Sequence, residues 1–159
     1  MPRPIGKISV VAVGKIRTRS WLAAQKEYVK RLGHYTNLEL VEVKDVVGRG
    51  LPDEAAMQRE GEQLLKAGRK AAHIVLLSPE GEQLDSPELA DFLQGRIERY
   101  GRIAFLIGGP LGFSPEVIAA AHSQLALSRL TFTHELARVI LLEQLYRGFT
   151  ILNNEKYHK

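Results

Sequence analysis

Residues 103–112 read Ile103-Ala104-Phe105-Leu106-Ile107-Gly108-Gly109-Pro110-Leu111-Gly112, and Ser114-Pro115-Glu116 follows. Five apolar residues in a row, with no polar alternation, are the pattern of a strand covered on both faces. Glycines and a proline end it at once. A serine followed by proline and an acid then signals a helix start. Strand, glycine loop and helix in immediate succession are what a parallel α/β sheet is built from.

The same grammar extends outward in both directions. Ile8 to Val13 and His73 to Leu77 are further apolar, β-branched runs, and Leu38 to Val43 is a fourth strand. A short one is expected at Leu125 to Leu127. Ser20 is a candidate cap for a helix through Arg31, with Trp21, Leu22, Tyr28, Val29 and Leu32 at helical spacing and Gly33 as its stop. Asp53 is a candidate cap for a helix to about Ala67. Ser86-Pro87-Glu88 opens one to Tyr100, Ser114 one to about His122, and Thr133 the last, His134 to about Phe149. The tail Ile151 to Lys159 reads as polar and mobile. Strands and helices thus alternate five times, which predicts an α/β fold with a parallel sheet flanked by helices. No linker or repeat interrupts it, so residues 1–159 are expected to form one domain.

Composition narrows the function classes. The chain has 159 residues, 45% of them hydrophobic and 25% charged, which suits a globular domain. It has no cysteine, which excludes a disulfide framework, a thiolate zinc site and a cysteine nucleophile. No apolar run approaches the ~20 residues of a membrane span. The opening segment has too short an apolar core for a signal peptide and reads as a first strand, so a cytoplasmic location is expected. The net charge is +4, unevenly spread: residues 1–50 carry +6, 51–100 carry −4 and 101–159 carry +2. Lys7, Lys15, Arg17, Arg19, Lys26, Lys30 and Arg31 form the basic excess, which suits a polyanion or, equally, a solvated helix face.

In open parallel sheets, ligands bind beyond the carboxyl ends of the strands. Gly108 to Gly112 is the first candidate, because glycines admit a ligand close to the backbone. The spacing is neither GxGxxG nor a P-loop, and no acid follows where a dinucleotide ribose needs one. A plain tight turn remains the alternative. The second candidate is Leu127-Ser128-Arg129-Leu130-Thr131-Phe132, which also lies between a strand and a helix and has the hydroxyls to hold an adenosine; a capping turn is its simpler reading. In the last helix, Arg138 and Arg147 are nine apart and so point to opposite faces. Glu143 and Arg147 have the spacing of a surface ion pair. The helix is also more apolar than a peripheral helix requires, which fits core or subunit contact. The five histidines lack metal-ligand spacing, so no metal is expected.

Taken together, several stretches resemble one family. They are Phe105-Leu106-Ile107-Gly108-Gly109-Pro110-x-Gly112, Leu125-x-Leu127-Ser128-x-Leu130-Thr131-Phe132-x-His134-x-x-x-Arg138-Val139, Glu143-Gln144-x-Tyr146-Arg147 and Tyr157-His158-Lys159. Val11-Ala12-Val13-Gly14-Lys15 and Tyr28-x-x-Arg31-Leu32 match as well. The family is RlmH, the 23S rRNA pseudouridine-N3-methyltransferases of the SPOUT class. The resemblance spans the whole chain. It departs at Gly148, where many relatives have alanine, and at Thr133, where many have proline.

The resemblance implies a SPOUT fold with a C-terminal trefoil knot, which the general rule against knots would not suggest. It further implies a cytoplasmic homodimer that uses S-adenosylmethionine and methylates N3 of pseudouridine 1915 in 23S rRNA of the assembled ribosome. Its cofactor positions fall on Leu77, Gly108, Leu127, Ser128, Arg129, Leu130, Thr131 and Phe132. For such a reaction the N3 proton must leave, and arginine cannot take it. Arg138 or Arg147 would then stabilise charge developing on the base, His158 would accept the proton, and Tyr157 would stack on the base or hydrogen-bond to it. The other reading of Tyr157-His158-Lys159 is a simple grip on RNA. A dehydrogenase-like nucleotide enzyme and a non-catalytic RNA-binding module are the competing classes.

Overall fold

The computed structural model describes residues 5–159. Five strands, β1 (Lys7–Val13), β2 (Asn37–Val43), β3 (His73–Gln83), β4 (Arg102–Ile107) and β5 (Ser123–Ala126), form one sheet in the order β2-β1-β4-β3-β5. Every pairing is parallel. The helices are α1 (Arg19–Leu32), α2 (Asp53–Gly68), α3 (Ser86–Tyr100), α4 (Pro115–Ala120) and α5 (His134–Leu152).

Alternate residues of the central strands feed two cores. Ile8, Val10, Ala12, Ile103 and Phe105 face Leu32 of α1, Leu93 and Ile97 of α3, and Leu141, Leu142, Leu145 and Phe149 of α5. Val11, Val13, Ala104 and Leu106 face Leu64 and Leu65 of α2 and Val117 of α4. This two-sided burial is why these strands read as unbroken apolar runs. α5 packs against both α1 and α3. Its apolar excess is therefore largely used inside its own chain.

Several boundaries differ from expectation. β3 does not stop at Leu77. It resumes at Glu82 after an irregularity, so that Leu77 and Glu82 both pair with Leu125. Gly81 permits this, because a Cβ there would lie 2.6 Å from the carbonyl carbon of Gln124. α4 ends before His122, whose amide donates to Ile74 O and whose Nδ1 accepts from Ile74 N, so His122 is held by the sheet. β5 begins at Ser123 for the same reason, and it ends at Ala126. The cap of α3 is Asp85, not Ser86: Asp85 and Glu88 form a reciprocal capping box at 2.8 and 2.9 Å. Thr18 and Pro52, not Ser20 and Asp53, precede α1 and α2. Ser114 and Thr133 cap α4 and α5 as expected. The tail is not loose, because Tyr157 and His158 fold back onto α5.

Candidate active site

The irregular middle of β3, Leu77 to Glu80, and the carboxyl ends of β4 and β5 open into a cleft of about 820 Å³. Leu77, Gly108, Leu127, Ser128, Leu130, Thr131 and Phe132 all line it, whereas Arg129 does not. The glycine loop after β4 and the loop after β5 thus line one cleft. In the glycine loop, Gly112 N donates to Gly109 O at 3.1 Å, and Gly112 has φ +82°, where a side chain would be strained. A Cβ on Gly108 would lie 3.2 Å from the Phe113 ring and 3.3 Å from Gly112 O. The second loop is pinned by Ser128, whose hydroxyl accepts from Leu130 N at 3.0 Å.

This cleft fits an adenosyl group. Its walls are mostly apolar side chains, small hydroxyls and backbone, with Glu80, Gln124 and His134 also among the lining residues, and glycine keeps the backbone approachable. Glu135 also lines the cleft, but its Oε1 is taken by the amides of Arg17 and Thr18 at 3.2 and 3.0 Å. Those backbone donors, Thr18 foremost, hold its carboxyl below the usual range. A smaller groove of about 240 Å³ joins Leu77 and Leu127 to Ile140, Leu141 and Gln144 of α5.

The four residues expected to do chemistry divide in two. Arg147, Tyr157 and His158 come together. Arg147 pairs with Glu143 at 2.6 Å and donates to His158 Nδ1 at 3.2 Å, and Tyr157 OH donates to Glu143 at 3.0 Å. The Arg147 guanidinium also lies over the Tyr157 ring at 4.9 Å. Burial first, then hydrogen bonding to Tyr28 and Glu143, raises the Tyr157 pKa, so it stays a phenol at physiological pH.

Arg138 does not join this cluster. It is wholly buried, bonded to Glu42 at 2.6 Å and to the carbonyl of Gly14 at 2.9 Å. There it ties α5 to the ends of β1 and β2. The tail cluster is also separate from the cleft. Ala137 is the last α5 residue on the cleft, and Arg147 lies about 15 Å further along the axis at 1.5 Å per residue.

Two residues that sequence reasoning passed over help to build the site. Glu60 is 3% exposed, accepts from Val46 N and Val47 N at 2.7 and 3.0 Å, and places its other oxygen 2.7 Å from where a Gly109 Cβ would stand. Trp21, read as part of the apolar face of α1, instead lines the cleft. A glutamate on the inner side of an otherwise amphipathic helix was the only available signal for Glu60. Trp21 had none.

Residues 7–158 match a family model described as predicted SPOUT methyltransferase. The chain belongs to the SPOUT methyltransferase family. A protein of Geotalea daltonii named ribosomal RNA large subunit methyltransferase H is 46% identical over 153 residues, 96% of this chain and 99% of that protein. A protein of the same name from Halothermothrix orenii is 40% identical over 158 residues, with the same coverage. Among solved structures, a probable methyltransferase from Bordetella pertussis superposes with a TM-score of 0.58 at 14% identity, over 91% of this chain and 96% of that one. The tRNA (m1G37) methyltransferase from Aquifex aeolicus gives 0.53 at 16%, over 91% and 70%. At such identities the structures share the SPOUT fold and nothing finer is carried over.

Proposed function

We propose that this SPOUT chain methylates N3 of pseudouridine 1915 in 23S rRNA of the assembled ribosome, with S-adenosylmethionine as donor, in the cytoplasm. One observation carries the reading: in a SPOUT methyltransferase closely related to curated rRNA enzymes, the glycine loop and residues 127–132 converge on a single strand-end cleft. Leu77, Gly108 and the 127–132 loop would hold the cofactor. When bound, it supplies a methyl group on a sulfonium, open to in-line displacement.

The chain's own residues orient the acceptor and manage its proton. Arg147 is about a quarter exposed and presents a fork of N–H donors, so it is suited to stabilise negative charge growing on the base. His158 accepts the N3 proton once its Nδ1 is released from Arg147. Tyr157, a phenol, hydrogen-bonds to the base or stacks on it. The buried Arg138 acts at a distance by fixing α5.

The active unit is a homodimer in which the cleft of one protomer meets the tail cluster of the other. The gap between cleft and cluster along α5 supports this, as do the exposed apolar residues Leu111, Ile118 and Leu130 at the cleft. The C-terminal knot belongs to the same proposal. Among the described residues no helix is long and apolar enough to cross a membrane.

Incubation with labelled S-adenosylmethionine and ribosomes lacking the modification tests this. The label is expected in 23S rRNA, at N3 of that pseudouridine. Label elsewhere would overturn the site, and none in any RNA would overturn the activity.

A further inference from the structure

We propose that the indole of Trp21 is a stacking platform for a nucleobase of the RNA substrate; the proposal rests on the reading of this chain as an RNA methyltransferase. Trp21 is 36% exposed and belongs to neither hydrophobic core. α1 packs inward through Tyr28, Val29 and Leu32 instead. A large aromatic left out of the core and set in a cleft wall is available to a ligand.

Its place in the cleft favours the acceptor over the donor. The proposed cofactor positions lie in β3 and after β4 and β5, whereas Trp21 follows β1, and Thr18 and Glu135 line the same cleft. This lining is preset. Glu135 holds the amides of Arg17 and Thr18, and Leu22 N donates to Thr18 O at 3.0 Å, so the first turn of α1 is tied to α5 before any substrate arrives.

The surroundings have the chemistry of a nucleic-acid strand. Lys15, Arg17 and Arg19 are exposed, and among the described residues none of them forms a salt bridge. Cations that follow a backbone beside an aromatic that takes a base are the recurring arrangement for single-stranded RNA. Stacking on π-faces needs no hydrogen-bond code, so the platform accepts the target or a flanking base.

Trp21 is the only tryptophan, so its fluorescence reports on this one site. The test titrates the full chain with an oligouridylate, with polyphosphate as a charge control, and with S-adenosylmethionine alone. Quenching by oligouridylate and not by polyphosphate is expected. Trp21→Ala should raise the KM for RNA roughly tenfold at saturating cofactor. Cofactor affinity should be unchanged, and Trp21→Phe should restore most of the loss. Quenching by S-adenosylmethionine alone, with its affinity lost in Trp21→Ala, would place the indole in the cofactor subsite and overturn the proposal. Emission that changes with protein concentration and ignores RNA would make it a contact between copies, and would also overturn it. Methyl transfer with an unchanged KM in a folded Trp21→Ala variant would sink the platform while leaving the enzyme reading intact. Quenching by RNA without methyl transfer to any RNA would do the reverse.

Discussion

Arg147 donates to Nδ1 of His158 at 3.2 Å. Arginine has no acceptor, so that nitrogen must offer its lone pair, and the proton of the neutral imidazole sits on Nε2. In this arrangement His158 has no free lone pair to serve as a base. Its release has to accompany the engagement of Arg147 with substrate. His158→Ala is therefore expected to slow single-turnover methylation at saturating ribosome by roughly 10²–10⁴-fold, the usual worth of a general base. An unchanged rate with weaker ribosome binding would leave the tail as a grip.

Arg138 should matter for stability before chemistry. Its removal leaves the Glu42 carboxylate and the Gly14 carbonyl without their partner. Because Glu42 can turn to solvent, Arg138→Ala is expected to lower unfolding free energy by roughly 1–3 kcal/mol, read as a lower urea midpoint. A variant with an unchanged midpoint and a collapsed methylation rate would return Arg138 to the catalytic group.

Glu60 should couple folding to cofactor affinity. Glu60→Leu strips the amides of Val46 and Val47 of their acceptor, at about 1–3 kcal/mol for the buried Val46 donor and less for the half-buried Val47. It also removes the oxygen against which Gly109 packs. Lower stability and weaker S-adenosylmethionine binding by calorimetry are expected together, with Glu60→Gln retaining most of both. Full cofactor affinity in Glu60→Leu would show that the glycine loop holds itself.

His73 sets a pH dependence of stability. It is buried at the start of β3, bonded to Ser123 and stacked on Tyr100 and His122. Burial, then the nearby His122, Arg96 and Arg99, lowers its pKa from 6.5 to about 4. Between those values the unfolded chain binds the proton and the folded one does not. Stability from this group is therefore complete above about pH 6.5 and declines as pH falls towards 4. A urea series across that range should show the slope, and His73→Gln should flatten it. The same slope in His73→Gln would assign it to other groups.

The sheet was legible wherever burial is two-sided: Ile8–Val13 and Ile103–Ile107 can hardly be anything but central strands. It was obscured where a turn-like sequence re-enters the sheet. Ser78-Pro79-Glu80-Gly81 has turn composition, and only its packing on Gln124 and Leu125 shows that β3 continues. That the glycine loop and residues 127–132 border a cleft was readable because glycine and hydroxyl residues directly after a strand carry local meaning. The fate of Arg138 was not. Its partners lie 96 and 124 residues away, and an arginine's pattern is the same whether it meets substrate or a carboxylate of its own chain. Trp21 was misread for a related reason: helical spacing shows that a residue shares a face, not whether the fold covers it.

The shared site is tested most directly by mixing two inactive variants. One carries Gly108→Val, which crowds the cofactor loop against Phe113 and Gly112. The other carries Arg147→Ala and His158→Ala. Reassorted chains form about half mixed dimers, each with one cleft and one tail cluster intact across the two-fold. Methylation of unmodified ribosomes at about a quarter of the wild-type rate is the predicted result. No recovery from a mixture shown to contain mixed dimers would contradict the composite site.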